Sequence, residues 1–206
     1  MLNLDRLRAA PLYRDPFDFL VVEDFVRHDE LPFVVADFPA IRSQGSFPVD
    51  VLRSGPAFGR LVTALTGPPL RAAIEEKFEI DLSGRPTMVT VRGQSDGKDG
   101  RIHTDSATKI ITLLLYLNPS WNCVEGRLRL LRNAADIENC AREVTPVAGN
   151  VLAFRRSATS FHGHLPHVGE RRVVQLNWVT EPAVVRRELS RHRWSARLKT
   201  LNPFAR

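Results

Sequence analysis

The sequence predicts a mainly β (α+β) protein in which an all-β sandwich or barrel is supported by helices. Two observations carry this expectation. From Thr87 onward the apolar residues fall in short β-branched runs at turn-marked intervals, TMVTVR, KIITLLLYLN, RLRLL, NVLAF and RVVQLNWV, which is the strand pattern of such a fold. Before Thr87, Pro56 opens AFGRLVTALT and Pro69 opens LRAAIEEKF, with Gly67 and Pro68 between them, a succession of helix starts and one stop that predicts two short helices.

Taken in order, PFDFLVVEDF and LPFVVADF are apolar but interrupted by prolines, so periodicity leaves them as short strands or helix ends. In the second predicted helix Leu70, Ala73, Ile74 and Phe78 fall on one face, the stripe that a helix buries. QSDGKDG is a loop between the first two β runs. Pro146 and Gly149 punctuate the approach to NVLAF, and Pro166 and Gly169 the approach to the last strand. The chain therefore divides into a helical and edge-strand support over 1–85, a β core over 86–181 and a basic tail over 182–206, expected to form one structural unit.

At 206 residues and 23.2 kDa the chain is long enough to bury a core without disulfides or structural metal. Hydrophobic residues make up 43% and charged residues 25%, which excludes a disordered or membrane-embedded composition. Asp5, Arg6 and Arg8 lie where a secretory apolar stretch would run, and no later run approaches a membrane span. Cys123 and Cys140 make no C-x-x-C pair. Both features point to the cytoplasm, where thiols stay reduced.

The formal charge of +6 comes from the tail, because residues 182–206 hold seven Lys or Arg against Glu188 alone. Val185, Leu189, Trp194, Leu198 and Leu201 are spaced for a basic amphipathic helix. Such a helix either docks its apolar stripe on the core or meets an anionic partner. No nucleic-acid motif accompanies it, and nothing specifies an oligomeric state.

The chemistry centres on His103 and Asp105. On extended backbone, residues two apart point the same way, so H-x-D can present an imidazole and a carboxylate to one ion. Two histidines and one carboxylate is the ligand set of non-haem Fe(II), which leaves positions open for substrate and oxygen. The composition alone would supply about 0.35 such pairs by chance, so the surrounding pattern matters. A third ligand could come from His162, His164 or His167.

That pattern runs H-T-D at 103–105, Y-L-N at 116–118, Trp121, G-R-L-R at 126–129, G-N-V-L-A-F at 149–154, S-F-H-G-H-L-P at 160–166, then G-E-R-R and a strand through Trp178. In order and spacing it resembles the 2-oxoglutarate- and Fe(II)-dependent dioxygenases, in particular their prolyl 4-hydroxylase-like branch, over a little under half of the chain. The resemblance implies a double-stranded β-helix, a jelly-roll and cupin-like fold, as the catalytic core. It places the metal ligands at His103, Asp105 and His162, with the co-substrate's far carboxylate on Arg172, chosen over Arg171 by counting back six residues from the strand tryptophan, and on the hydroxyl of Tyr116. His164 and His167 are left as polar surface or supporting histidines.

The implied cofactors are Fe(II) and 2-oxoglutarate, with ascorbate as a further candidate. The implied reaction is hydroxylation of an unactivated C–H bond, with release of succinate and CO2. The target would be a prolyl or other amino-acid side chain, free or peptidyl, or alternatively a small molecule being tailored. Related halogenases replace the ligand carboxylate by a small residue, so Asp105 favours hydroxylation or demethylation. The sequence departs from the branch at Arg92, where relatives can carry an aromatic hydroxyl; Arg92 is either a salt-bridge partner on the barrel wall or a contact to an anionic substrate. Thr104, Ser106, Thr108 and Lys109 are expected at the rim. Two other classes stay open: a silent cupin-like binding module, and a zinc site built from the same three ligands, which would leave Arg172 without a purpose.

Overall fold

The alternating apolar runs become strands of two antiparallel sheets in a computed structural model that describes residues 1–190. The strands are β1 (Phe19–Val22), β2 (Phe47–Pro48), β3 (Thr87–Ser95), β4 (Lys109–Tyr116), β5 (Leu128–Leu131), β6 (Cys140–Val144), β7 (Val151–Arg155), β8 (His162–Gly163) and β9 (Gly169–Val179). One sheet has six strands in the order β1-β7-β4-β9-β3-β2, and the other has three in the order β6-β5-β8. The two sheets form the double-stranded β-helix.

Helices cover the outer face of the larger sheet: α1 (Leu4–Ala9), α2 (Leu31–Ala36), α3 (Pro56–Thr66) and α4 (Pro68–Phe78). Both predicted helices form, each with proline in its first turn, where the missing N–H costs nothing. Asp37 reaches across to accept a 2.6 Å hydrogen bond from the Ala57 N–H, satisfying one of the donors that a helix start leaves open. Leu70, Ala73, Ile74 and Phe78 are the buried residues of α4, as its periodicity requires. Of the two undecided segments, the first supplies β1 and the second becomes α2. Residues 182–190 continue from β9 as a helix with Val184 buried; the rest of the expected amphipathic tail lies outside the described residues.

Two cores result from alternation along the same strands. Ile111, Leu113 and Leu115 of β4, Val151 and Ala153 of β7, and Val174, Leu176 and Trp178 of β9 pack on the helices in the larger core. Leu114 and Tyr116 of β4, Leu152 and Phe154 of β7, and Val173 of β9 face the small sheet, with Leu128 and Leu130. A fully buried side chain of this size contributes roughly 1.5–3 kcal/mol, so the helix-side rows hold the central strands in register. That register sets Thr112 opposite Asn177 and Thr90 opposite Gln175, which puts polar side chains between the sheets.

Neither β6 nor β8 carries a strand pattern in the sequence. Strand β6 lies at the edge of the small sheet and most of its side chains are at least partly exposed, so it lacks an apolar row. Strand β8 is two residues long, too short for a periodic signal.

Candidate metal and co-substrate site

The opening between the sheets is built around the loop that joins β3 to β4. His103 and His162 pair through their backbones, each N–H bonding the other's carbonyl at 3.1 and 3.0 Å. This brings their rings to a 4.4 Å centroid separation at a 55° tilt. Asp105 follows on the same segment, and the donor atoms of His103, Asp105 and His162 lie within 4.8 Å of one another. Residues 59 positions apart in sequence thus converge, as the resemblance implies.

The hydrogen bonds fix which nitrogen each histidine offers. His103 Nδ1 lies 2.8 Å from the Arg101 carbonyl, and His162 Nδ1 lies 3.0 Å from the Ser160 carbonyl. A carbonyl only accepts, so both Nδ1 atoms carry the proton and both Nε2 atoms keep a free lone pair. Burial lowers the His162 pKa to about 4, which keeps its ring neutral and able to ligate.

Asp105 is 7% exposed, and burial alone would disfavour its charge. Lys109, His162 and Thr112 outweigh that and hold it below the usual carboxylate range. Lys109 Nζ donates to one Asp105 oxygen at 2.7 Å, and the Thr112 hydroxyl donates to the other. Behind Thr112 stands a polar row: Asn177 Nδ2 donates to Thr112 Oγ1 at 2.8 Å, and Gln175 donates to Asn177 at 3.1 Å. Lys109 is therefore an internal counter-ion rather than a rim residue. Each carboxylate oxygen has two lone pairs, so these donors leave Asp105 able to bind a cation.

Arginines 171 and 172 part at the strand. Arg171 is 6% exposed and lines the cavity between the sheets, where its Nε donates to the Gly126 carbonyl at 2.9 Å. Gly126 has φ +77°, and a Cβ there would lie 2.6 Å from the Trp121 ring, so this carbonyl is presented by a backbone that suits only glycine. Arg172 points to the opposite face: it bonds Glu170 at 2.9 Å and lies 5.3 Å over the Phe38 ring. The expectation that Arg172 serves the site is corrected accordingly. Counting back an even number from Trp178 does conserve the face, but Trp178 belongs to the helix-side core, so Arg172 shares that side and Arg171 takes the other.

Tyr116 lies on the inter-sheet face beside Arg171, whose Cζ is 5.4 Å from the ring centroid. Burial raises the Tyr116 pKa despite the nearby guanidinium and lowers that of Arg171. Among the described residues, neither the Tyr116 hydroxyl nor the terminal Nη2 of Arg171 has a hydrogen-bond partner. The Tyr116 oxygen can accept from the neighbouring guanidinium, but its own O–H and the remaining Arg171 donors then still lack an acceptor, and a carboxylate has the charge and lone pairs to satisfy them. The donor set therefore fits 2-oxoglutarate as well as iron.

His164 is buried at 7% exposure and lines the same cavity, which leaves the supporting alternative for it rather than the surface one. Its Nδ1 donates to the Leu165 carbonyl at 2.7 Å, and burial lowers its pKa to about 4. It stays outside the three-donor group. His167 packs against Trp121 at a 4.5 Å centroid distance, away from the donors. Arg92 lines the cavity and pairs with Asp99 at 2.6 Å. The cavity measures about 370 Å³. Thr112, Asn177 and Gln175 carry no sequence signal, because Thr, Asn and Gln in a strand are ordinary; only the register between β4 and β9 lines them up behind Asp105.

Comparison with known proteins places this arrangement. Residues 89–180 match the 2OG-Fe(II) oxygenase superfamily, a span from β3 to the end of β9. No curated protein matches the chain. Among solved structures, a Pseudomonas putida prolyl-4-hydroxylase is similar at 22% identity and a TM-score of 0.60, covering 86% of this chain and 97% of that one. The collagen prolyl hydroxylase of Paramecium bursaria chlorella virus-1, solved with 2-oxoglutarate, is similar at 15% identity and a TM-score of 0.53, covering 79% and 96%. HygX from Streptomyces hygroscopicus, solved with nickel and 2-oxoglutarate, is similar at 12% identity and a TM-score of 0.54, covering 80% and 83%. At these identities the structures establish a shared fold, and the match to the 2OG-Fe(II) oxygenase superfamily rests on residues 89–180.

Proposed function

We propose that the protein is a hydroxylase that acts on an aliphatic C–H bond of an amino-acid-sized group, with His103, Asp105 and His162 as the iron ligands and Arg171 and Tyr116 as the anchor of 2-oxoglutarate. The observation that carries this reading is the coexistence, between the same two sheets, of a three-donor cluster and a buried Arg171–Tyr116 pair with donors left over. A zinc site would use the first and leave the second without purpose.

The iron with its co-substrate supplies the oxidant for hydroxylation, yielding succinate and CO2. The protein's own groups position and shield. His103 and His162 offer Nε2 because their Nδ1 protons are held by backbone carbonyls. Thr112 and Lys109 hold Asp105 ionised and oriented. Arg171, held by the Gly126 carbonyl, and the Tyr116 hydroxyl would take the far carboxylate of the co-substrate. Leu114, Leu128 and Val173 line the cavity and limit water around the reacting centre. A cytoplasmic setting suits two cysteines that stand unpaired in the fold.

The test is anaerobic addition of Fe(II) and 2-oxoglutarate, followed by the metal-to-ligand charge-transfer band. Admission of oxygen should then convert 2-oxoglutarate to succinate. A protein that forms the band and never turns over, with or without candidate substrates, would be a silent binding module instead.

A further inference from the structure

We propose that the substrate carries an oxyanion, a carboxylate or a phosphate, held at the cavity mouth by Arg92, Lys98 and Arg101; this rests on the oxygenase reading above. Five basic side chains line the cavity, Arg92, Lys98, Arg101, Lys109 and Arg171, against the two carboxylates Asp99 and Asp105. Lys109 is committed to Asp105 at 2.7 Å, and Arg171 is the buried cation beside Tyr116. A metal dication and a 2-oxoglutarate dianion cancel one another, so filling the site leaves the excess of basic groups in place.

Among the groups that line the cavity, what remains is Arg92, Lys98 and Arg101 opposed by Asp99, with Asp96 outside the lining and accepting from the Lys98 N–H. Asp99 acts as a brace: it takes Arg92 Nη1 at 2.6 Å while accepting from the Asp96 N–H at 3.0 Å and the Ser95 hydroxyl at 3.2 Å. That contact uses one of the guanidinium's five donors and fixes the direction of the rest. Arg92 also sits where the β3 to β9 register shifts, a feature that re-aims side chains next to sites.

Lys98 and Arg101 are exposed residues of the same loop, Arg101 two positions before His103. The loop is fixed to the metal side of the cavity, because His164 N–H donates to the Gly100 carbonyl at 2.9 Å. Gly100 has φ +89°, and a Cβ there would lie 2.3 Å from the His164 carbonyl oxygen, so the approach needs glycine. The adjoining part of the cavity carries Thr104, Ser106, Thr108 and Glu188 beside the Lys109–Asp105 pair, so the remaining cations gather at Arg92 on β3 and at Lys98 and Arg101 of the loop. A cleft lined by one sign of charge with apolar walls concentrates ligands of the other sign, and the arginine fork matches carboxylate and phosphate oxygens.

The test uses protein loaded anaerobically with Fe(II) and saturating 2-oxoglutarate, titrated with matched pairs: N-acetylglutamate against N-acetylglutamine, and O-phosphoserine against serine. Perturbation of the charge-transfer band reads binding, and succinate formed on admitting oxygen reads productive binding. The expected result is an anionic member bound at least about tenfold more tightly than its neutral match, the two pairs telling carboxylate from phosphate. Arg92→Gln and the double variant Lys98→Gln/Arg101→Gln should each remove most of that preference. The double variant changes exposed side chains only, so it reads the charge even where loss of the Arg92–Asp99 pair disturbs the loop. Equal binding of the neutral matches, no response to either anion, or an acid preference that survives the double variant would overturn the proposal. A fall in 2-oxoglutarate affinity with the acid preference unchanged would also overturn it, by assigning these cations to the co-substrate. A wild-type protein that forms no band would fail at the oxygenase reading itself, and this proposal would go with it.

Discussion

The two faces of β9 do opposite work with alternate residues of one strand. Val174, Leu176 and Trp178 pack against the helices with Arg172 at their end, whereas Arg171, Val173, Gln175 and Asn177 face the site between the sheets. The first face is apolar and held by neighbours on β3 and β4; the second carries polar groups whose geometry matters to chemistry. Packing on one face therefore supplies the rigidity that the other face needs, and the two should respond differently to substitution.

The largest effect is expected at the ligand cluster that the polar face supports. Asp105→Ala should abolish the charge-transfer band and coupled succinate formation; undiminished turnover would remove Asp105 from the ligand set. On the apolar face, Leu176→Ala should cost ~2–5 kcal/mol of stability in denaturant unfolding, while 2-oxoglutarate affinity per folded molecule stays the same. A change in affinity of the folded fraction would mean that the faces are not separable. Thr112→Val, which removes the hydroxyl behind Asp105 and leaves the volume, should weaken metal binding roughly 10-fold as measured by competition with a chelator.

The smallest effect concerns acid. His162 and His164 are both held at about 4 by burial, below the ordinary value near 6.5. The unfolded chain therefore binds more protons than the folded chain between these values, and stability of the metal-free protein should fall as pH drops from about 6.5 toward 4. A metal-free melting temperature that holds or rises across that window would contradict the burial assigned to the two rings.

Much of the apolar face was legible in the sequence, because alternation in KIITLLLYLN and RVVQLNWV and the helical stripe of α4 are local patterns with one physical cause. The convergence of His103, Asp105 and His162 was legible through motif order. The choice between Arg171 and Arg172 was not, because alternation tells which residues share a face without telling which face looks inward. Trp178 resolves it: a large apolar side chain at 1% exposure lies in the helix-side core, and it carries Arg172 with it. The polar row Thr112, Asn177 and Gln175 depends on register between β4 and β9, a long-range property that no local pattern encodes. Lys109, expected at the rim, differs for a related reason: only the fold brings its ammonium against the buried Asp105 carboxylate.

The most direct test of this division is an anaerobic 2-oxoglutarate titration of the Fe(II)-loaded protein, run side by side on wild type, Arg171→Gln and Arg172→Gln. Arg171→Gln should weaken 2-oxoglutarate roughly 100-fold, as expected when one partner of a buried charge pair is removed, and Arg172→Gln should leave it within about twofold because its partner is a partly exposed glutamate. A loss confined to Arg172→Gln would contradict the account and return the co-substrate to the other face of the strand.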